Sequence, residues 1–498
     1  MSRVVLVSNR VMDLRKAPQA GGVAVALADV VRSRSALWFG WNGEIRANGQ
    51  PDLVEREGRL ATVTMSEADH RGYYLGYANS VLWPVFHNRL DVAEFEAGFF
   101  ETYVDFNRRL AASLAPMLRA DDIIWVHDYH LIPLAAELRS RGVANPIGFY
   151  LHIPFPSWQT FMAIPEHQEL ARALAAYDLI GLQTRADVAN LIDYMAKGVS
   201  GRIVPDGRIR LFGRLVSIAS FPVGIDLADF ANPKRDAGLV QARTAVSRII
   251  GVDRLDYTKG LPQKLKAFGR FLEKYAQYQR QVVLTQIAPP TRESVEAYSG
   301  IRQQLETLAG SVNGRFGELD WVPIHYIHRS TPRRRLAGIY RSSRIGMVTP
   351  LRDGMNLVAK EYVAAQDPED PGVLILSQFA GAAEEMGEAL IVNPYNIEQC
   401  ADGIRIALEM SLEERRTRYE ALMAAVRKYD VTSWCQSFLA RLERVRAGED
   451  IDRPYPVGPL RAALEKLGET LEPTGPADKS TRKGMQPTPS EVGGVGSA

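Results

Sequence analysis

The chain has 498 residues, 46% of them hydrophobic and 24% charged, with a formal net charge of +2. This composition is typical of a globular protein of two or three domains, and it gives no reason to expect nucleic acid or an anionic membrane as a partner. No run approaches the roughly 18 apolar residues of a membrane span, and the run Val4–Val7 is too short for a signal peptide. Cys400 and Cys435 are typical of buried thiols in a reducing compartment, so we expect a cytoplasmic protein.

Short apolar segments alternate with longer helical patterns along the chain. The predicted strands are Val4–Ser8, Leu37–Gly40, Ile123–Val126, Ile147–Leu151, Leu179–Leu182, Leu215–Ile218, Ile249–Val252, Val282–Ile287, Ile345–Thr349 and Val373–Ser377. The predicted helices are Val23–Val31, Val92–Ser113, Leu131–Arg141, Leu261–Lys274, Val295–Leu308 and Ile397–Met410. Several strands are apolar on both faces, as buried parallel strands are. The alternation predicts an α/β fold of doubly wound sheets.

The alternation occurs in two series, which predicts two Rossmann-like domains. The first series ends near Phe221–Asp226, the charged segment Leu227–Ala245 is interpreted as a linker, and the second series begins at Val246. We therefore expect domains at residues 1–226 and 246–430, with the ligand site in the cleft between them. From Leu471 the chain is rich in Pro, Gly, Ser, Thr and Lys, which predicts a disordered tail at 471–498.

Polar residues follow several predicted strands of the first series. The first strand runs into Ser8–Arg10, and a loop then closes with Gly21-Gly22, a pair that either lets backbone approach a ligand or forms a flexible turn. Later strands deliver His127–His130 and His152 at their carboxyl ends. In open α/β sheets this is the edge where ligands bind.

The histidine spacings raise the question of a metal site. His127 and His130 are three residues apart, as are His325 and His328, but neither pair has a third ligand nearby in the sequence. The D-x-D sequence Asp450–Asp452 lies beside the proline-rich tail and does not follow a strand. We therefore expect an enzyme that needs no metal.

An aromatic segment, Gly72–Leu90, mixes Tyr74 and Trp83 with polar residues. Such rings either form a platform for a sugar or pack a helix against the core. Packing is the expected role of most of them.

The second series opens with a basic constellation. Strand Ile249–Val252 is followed by Asp253–Gly260, which carries Arg254 and Lys259 just before a helix. An arginine fork and a lysine point charge at a strand end suit phosphate oxygens, and they could stabilise a leaving diphosphate. The alternative is an ordinary surface ion pair with Asp253 or Asp256.

The segment Val348–Tyr362 predicts a strand, a short loop and a helix. The first backbone N–H groups of that helix have no partner within it, and this positive end of the helix dipole suits a phosphate. Asp353 precedes the helix and Glu361 lies about two turns into it. Two acceptors around an anion site match a sugar nucleotide, in which hydroxyls lie on both sides of a diphosphate. Acidic residues near helix starts are also ordinary caps, so the pattern alone does not decide.

Taken together, these motifs resemble the trehalose-6-phosphate synthases, which are retaining glycosyltransferases of the GT-B fold. The resemblance covers Ser2 to Leu442 and rests on VSNR, LWFGW, VLWPVFH, WVHDYHLIP, FYLHIPFP, DRLDYTKGLP, TQIAPPTR, VTPLRDGMNLVAKEY and LSQFAGAAEE. It implies transfer of glucose from a nucleotide sugar, usually UDP-glucose, to glucose 6-phosphate in trehalose biosynthesis. It also implies that a helix near residues 431–450 packs back on the N-terminal domain.

The resemblance further implies a role for individual residues. Arg254 and Lys259 match the residues that hold the donor diphosphate, and His152 matches the histidine beside the reacting centre. The whole implied donor set is Gly22, His152, Arg254, Lys259, Asp353, Gly354, Met355, Asn356, Leu357 and Glu361. The implied acceptor set is Arg10, Tyr74, Trp83, Asp128 and Arg292. The implied catalytic residues are Asp128, His152, Arg254, Lys259 and Asp353.

Retention of configuration has two chemical routes. A double displacement needs a carboxylate nucleophile on the β face of the donor glucose, and the matched set offers no obvious one. We therefore favour a front-face route in which the leaving diphosphate takes the proton of the acceptor hydroxyl. No cofactor is expected, because the nucleotide sugar is a substrate.

Two alternative functions stay open on the sequence. One is a related transferase with another phosphorylated acceptor such as glycerol 3-phosphate, although the set Arg10, Tyr74, Trp83 and Arg292 favours a hexose phosphate. The other is a catalytically silent sensor of sugar phosphates, against which the intact donor residues argue. The sequence does not distinguish UDP, ADP and GDP as the donor nucleotide. It also does not distinguish a monomer from a homo-oligomer.

Overall fold

The chain forms two mainly parallel β-sheets in a computed structural model that describes residues 2–12, 27, 36–46, 53–57, 59–230, 246–291 and 296–446. The strands are β1 Val4–Arg10, β2 Ala36–Arg46, β3 Leu53–Glu57, β4 Leu60–Ser66, β5 Ile123–His127, β6 Ile147–Tyr150, β7 Leu179–Leu182, β8 Arg202–Ile203, β9 Ile209–Leu211, β10 Arg214–Ser220, β11 Ser247–Val252, β12 Val282–Ile287, β13 Ile324–Ile327, β14 Ile345–Val348, β15 Val373–Ser377 and β16 Leu390–Val392. The α-helices are α1 Glu67–Asp69, α2 Trp83–Phe86, α3 Phe99–Leu114, α4 Leu134–Arg139, α5 Trp158–Phe161, α6 His167–Leu174, α7 Arg185–Asp193, α8 Leu261–Lys274, α9 Glu296–Phe316, α10 Arg333–Arg341, α11 Leu357–Ala364, α12 Ile397–Glu409, α13 Leu412–Lys428 and α14 Val431–Arg446.

The first sheet has the strand order β3-β4-β2-β1-β5-β6-β7-β10-β9-β8. Its centre is parallel, with Val4 opposite Ala36 on one side and opposite Ile123 on the other. Antiparallel pairs occur at its two ends, between β3 and β4 and between β8, β9 and β10. The chain leaves β1 toward β2 on one side and returns toward β5 on the other, so the strand order reverses between β1 and β5.

The second sheet has the order β13-β12-β11-β14-β15-β16, and its strands pair in parallel. Here the order reverses between β11 and β14. Both reversals are topological switch points, at which the loops beyond the strand ends diverge and leave a crevice.

The prediction of doubly wound α/β sheets is confirmed, and every predicted strand is present within a few residues. The helix predicted at Val92–Ser113 begins only at Phe99, because Gly98 before it takes a left-handed conformation with φ of 88°. The helix predicted at Val295–Leu308 extends to Phe316, while Val23–Val31 lies almost wholly outside the described residues. The sheet-edge strands were not predicted, since short strands at an edge lack the long apolar run of a central strand.

The last helix, α14, packs on the first sheet through large aromatic rings. Phe438 stacks on Trp125 of β5 with ring centroids 4.6 Å apart. The sheet makes room for Phe438 with two glycines, because a Cβ on Gly148 or Gly181 would approach its ring to 2.8 Å or 2.7 Å. Both sheets and α14 fall in one compact unit, Met1–Arg453. None of the helices in the described part of the chain is long and apolar enough to cross a membrane.

Candidate active site

The polar residues singled out in the sequence gather at the two switch points. Arg10 ends β1 and Asp128 directly follows β5, which is the neighbour of β1. In the second sheet, Arg254 follows β11, and the loop to Asp353 follows the neighbouring strand β14. Each sheet therefore presents its charged side chains at the place where open α/β sheets bind ligands.

Loops from the two sheets touch each other at this edge. A Cβ added to Gly354, after β14, would lie 2.1 Å from the carbonyl oxygen of His152, after β6. Only glycine permits so close a backbone approach. The guanidinium carbon of Arg254 also lies 5.5 Å from the ring centroid of Trp83, which is cation–π distance. The predicted donor and acceptor residues are thus brought together.

A compact polar cluster forms around Asp353. Its Oδ2 lies 2.5 Å from Lys259 Nζ and accepts a second hydrogen bond from Asn356 Nδ2 at 3.0 Å. Lys259 ends a short turn whose start is capped by the Asp256 carboxylate, which accepts from the Thr258 backbone N–H. Lys259 and Asp353 come from different strand–loop–helix units, so the ion pair ties the loops at the switch point together.

Two site residues have strained backbones. Asp128 has φ of 78° and Asn356 has φ of 71°, although neither is glycine. Such conformations cost about 1–3 kcal/mol each and concentrate at functional sites. Asn356 immediately precedes α11, and its buried Oδ1 has no hydrogen-bond partner. The strain therefore places a polar side chain beside the first unpaired N–H groups of the helix.

Glu361 lies about one turn further along α11, and its side chain is 13% exposed. Arg333 Nη2 lies 3.7 Å from its carboxylate, and the Tyr340 hydroxyl donates to it over 3.4 Å. Burial raises the pKa of Glu361 to about 7, although Arg333 and Tyr340 act in the opposite direction. The carboxyl group therefore changes charge near neutral pH.

His152 is a neutral imidazole packed between the halves of the site. Its backbone N–H donates to Asp128 Oδ1 over 3.2 Å, and its Nε2 lies 3.1 Å from Nδ1 of His127. Burial lowers the pKa of His152 to about 3 and that of His127 well below its ordinary value. At neutral pH both rings are uncharged, so His152 can position a ligand by hydrogen bonding but does not carry a positive charge.

The other half of the site is a row of rings on a π-helical segment, His70–Leu82. The Tyr74 ring lies 5.8 Å from Trp41 and 5.9 Å from His130. The guanidinium of Arg10 in turn lies 5.5 Å from the Trp41 ring centroid. π-Helical turns are rare and frequently mark functional sites. The segment holds Tyr74 against Trp41, whose ring Arg10 also contacts, although Arg10 and Tyr74 are 64 residues apart in the chain.

Several residues of the site were not singled out by sequence reasoning. Trp41 belongs to the LWFGW motif, and His87 to VLWPVFH, so the motifs contained the signal. The His87 ring lies 4.2 Å from the Trp83 ring, and its Nδ1 lies 2.7 Å from the Trp83 carbonyl. Burial lowers the pKa of His87 to about 4, so this support under Trp83 is also uncharged at neutral pH.

Some expected residues cannot be located. Gly22, Arg292 and the sequence Asp450–Asp452 lie outside the described residues. Within the described part, no group of three or more His, Cys, Asp or Glu side chains could hold a metal ion. His127 faces His152, whereas the His130 ring packs at a tilt against Tyr129, so the first histidine pair does not converge.

Comparison with known proteins gives matches over most of the chain. The model of glycosyltransferase family 20 matches residues 6–444. A trehalose-6-phosphate synthase of Klebsiella pneumoniae is 45% identical over 454 residues, which are 89% of this chain and 96% of the relative.

Solved structures give the same result. An α,α-trehalose-phosphate synthase (UDP-forming) from Burkholderia xenovorans in complex with glucose-6-phosphate matches with a TM-score of 0.83 and 45% identity over 89% of this chain and 100% of that chain. A solved structure described as trehalose-6-phosphate from E. coli bound with UDP-2-fluoro glucose matches with a TM-score of 0.84 and 44% identity. The match covers 89% of this chain and 99% of that chain.

Proposed function

Because this chain belongs to glycosyltransferase family 20, we propose that it transfers glucose from UDP-glucose to glucose 6-phosphate, giving α,α-trehalose 6-phosphate and UDP. The observation that supports the proposal is the meeting of two unlike clusters of side chains. Lys259 and Asp353 lie in one cluster, and Arg10 and Tyr74 belong to the other. The backbone contact of Gly354 with His152 and the position of Arg254 over Trp83 join them. The relatives bound to glucose-6-phosphate and to a fluorinated UDP-glucose carry ligands of these two kinds.

On the donor side, we assign the diphosphate to Arg254, Lys259 and the start of α11. Arg254 and Lys259 supply positive charge, and the first N–H groups of α11, from Leu357 onward, supply hydrogen bonds. Asp353, with Gly354 and Met355 in the same loop, is assigned to the glucose hydroxyls. Glu361 is assigned to the ribose, and Gly22 to the loop that closes over the donor.

On the acceptor side, we assign the hexose phosphate to Arg10, Tyr74 and Arg292. Trp83 lines the same pocket, and Asp128 accepts hydrogen bonds from acceptor hydroxyls. Replacing Arg292 with alanine should raise the KM for glucose 6-phosphate far more than the KM for UDP-glucose. An equal rise in both constants, measured by initial rates, would contradict this assignment.

In the proposed mechanism the bond from the glucose anomeric carbon to the diphosphate oxygen breaks first. Arg254 and Lys259 stabilise the negative charge that develops on the departing UDP. The acceptor hydroxyl then attacks the same face of the oxocarbenium-like centre, and its proton passes to the leaving phosphate oxygen. The neutral His152 lies beside this centre as a hydrogen-bonding group, and a glucosyl-enzyme adduct trapped by mass spectrometry would rule the route out.

The two halves of the site imply a division of the chain. We propose an acceptor domain at residues 1–226 and a donor domain at 246–430, with residues 431–450 packing back on the first. The packing of Phe438 on Trp125 supports this division. The two cysteines are free and buried, which fits the proposed location in the cytoplasm.

A release assay tests the function directly. Purified protein would be incubated with glucose 6-phosphate and, in separate reactions, with UDP-, ADP- and GDP-glucose, while nucleoside diphosphate and disaccharide phosphate are followed. We expect turnover with UDP-glucose, and activity unchanged by a chelator because no metal takes part. Absence of turnover with every donor, while glucose 6-phosphate still binds by calorimetry, would favour a different acceptor or a silent sensor.

A further inference from the structure

Arg352 lies next to Asp353 but points to the other sheet. While Asp353 contacts Lys259, Arg352 Nη2 donates to the carbonyl oxygen of Phe155 over 3.2 Å and lies 3.9 Å from Asp187 Oδ1. A residue of the proposed donor loop is therefore held by the acceptor half of the molecule.

The Asp187 carboxylate is held in place by groups other than Arg352. Its Oδ1 accepts from the Phe155 backbone N–H at 2.9 Å, and its Oδ2 accepts from the Thr184 hydroxyl at 2.6 Å. The side chain is 4% exposed, and burial raises the pKa of Asp187 to about 6, an effect that Arg352 partly opposes. The buried Asp187 carboxylate is thus held by two hydrogen bonds of its own, and Arg352 lies beside it at ion-pair distance.

Both polar groups of the Phe155 peptide are held at this junction. Asp187 accepts its N–H, and Arg352 donates to its carbonyl oxygen. Phe155 is three residues after His152, whose own carbonyl packs directly against Gly354. Arg352 therefore fixes the loop of Asp353 and the loop of His152 to one another.

A second contact between the two halves lies next to the Arg352 contact. Glu384, from the second half, accepts from the backbone N–H groups of Arg185 and Ala186 at the start of α7, at 3.2 Å and 3.3 Å. Gly381 of the same segment packs against the Gly354 carbonyl. The Glu384 contact uses backbone donors, whereas both contacts of Arg352 are made by a single side-chain nitrogen, Nη2.

We propose that Arg352 is a positioning residue for glucosyl transfer, which sets the distance between the donor-glucose acid Asp353 and the reacting-centre histidine His152. This inference rests on the proposed function. No substrate contact is assigned to Arg352 itself. Its loss should therefore disturb the relative position of Asp353 and His152 more than the affinity for either substrate. Misplacement by about 1 Å can lower a rate by about 100-fold without removing a ligand contact.

The test uses the full-length protein with Arg352→Lys and Arg352→Gln. We expect kcat to fall about 10- to 100-fold in both, while the KM values and the calorimetric Kd for UDP change by less than about 3-fold. Arg352→Lys keeps the charge but removes the guanidinium whose Nη2 reaches Phe155 and Asp187, so it remains informative if Arg352→Gln folds poorly. Arg185→Gln is the matched control at the same junction: its side chain is 72% exposed and should matter by less than about 2-fold.

A double-mutant cycle with Asp187→Asn supplies the second readout. If Arg352 acts through Asp187, the double variant should be no slower than the slower single variant, because one contact is lost only once. Wild-type kcat in either Arg352 variant, strictly additive losses, or a loss of UDP binding equal to the loss of kcat would overturn the inference. An inactive wild-type protein would instead point to failure of the proposed function.

Discussion

The two proposed halves of the site are held together by different interactions, ion pairs in one and aromatic packing in the other. The donor half is a set of charges neutralised by one another, such as Lys259 with Asp353 and Arg333 with Glu361. The proposed acceptor half is a row of packed aromatic rings, with Arg10 at its exposed end. Charges held in a buried network keep their geometry through mutual attraction, whereas rings keep theirs through packing. Substitutions in the two halves should therefore fail in different ways.

The largest effect on stability should come from substitution of Lys360, the buried cation of α11. Its Nζ donates to the Val223 carbonyl over 2.9 Å and lies 2.7 Å from Glu385 Oε2, with the lysine side chain 0% exposed. Lys360→Met leaves Glu385 buried without its cation, so we expect a loss of about 3–5 kcal/mol in stability. Thermal unfolding measures it. Lys360→Met combined with Glu385→Leu should recover much of the loss, and a single variant as stable as wild type would contradict the network description.

Lys259 tests the charge chemistry of the donor half. Lys259→Met should lower kcat by about 100- to 1,000-fold, because one preorganised group that stabilises the departing diphosphate is lost. Steady-state rates at saturating substrates measure the effect. Lys266→Met, at an exposed position of the following helix α8, is the control and should remain near wild type. A Lys259 variant that loses only affinity for glucose 6-phosphate would contradict the assignment of Lys259 to the donor half.

Arg10 tests the ring half. Arg10→Gln should raise the KM for glucose 6-phosphate about 10- to 100-fold, since hydrogen bonds to charged groups contribute about 1.5–3 kcal/mol. The KM for UDP-glucose should stay within about 2-fold. Arg71→Gln, an exposed arginine on the π-helical segment of Tyr74, serves as the matched control. A rise in the donor KM of equal size would remove the distinction between the halves.

The smallest expected effect is a pH dependence confined to the donor half. Burial raises the pKa of Glu361 from 4.5 to about 7, so the group takes up a proton as the pH falls through 7. The neutral acid accepts a ribose hydroxyl less well, and the KM for UDP-glucose should rise several-fold between about pH 8 and 6. Initial rates with Glu361→Gln should lose this dependence. The sign for stability is opposite: because the folded pKa is the higher one, this group's contribution falls as the pH rises from 4.5 to about 7.

The placement of the proposed donor residues at strand ends could be predicted from the sequence because these residues are close together in the chain. After one strand, Arg254 and Lys259 lie in a span of six residues. After another, Asp353, Asn356 and Glu361 lie in a span of nine residues. Strand–loop–helix geometry then fixes their direction. The ion pair between Lys259 and Asp353 was not predicted, because it depends on which strands are neighbours in the sheet.

The acceptor half was harder to predict for a physical reason. Arg10, Trp41, Tyr74 and His130 come from four separate segments. Their assembly depends on a π-helical segment, whose extra residue per turn breaks the 3.6-residue period on which helix prediction rests. The contacts of Arg352 were not predicted, because a single charged residue in a loop has no periodic pattern. Its partners Asp187 and Phe155 lie 165 and 197 residues away in the chain.

A crystal structure with UDP and glucose 6-phosphate bound together would test the division of the site most directly. We expect the UDP diphosphate within hydrogen-bonding distance of Arg254 and Lys259, and the hexose phosphate beside Arg10 and Tyr74. The acceptor hydroxyl should then face the departing phosphate oxygen. Glucose 6-phosphate bound at Lys259, or UDP bound among the rings around Tyr74, would contradict the assignment of the two halves.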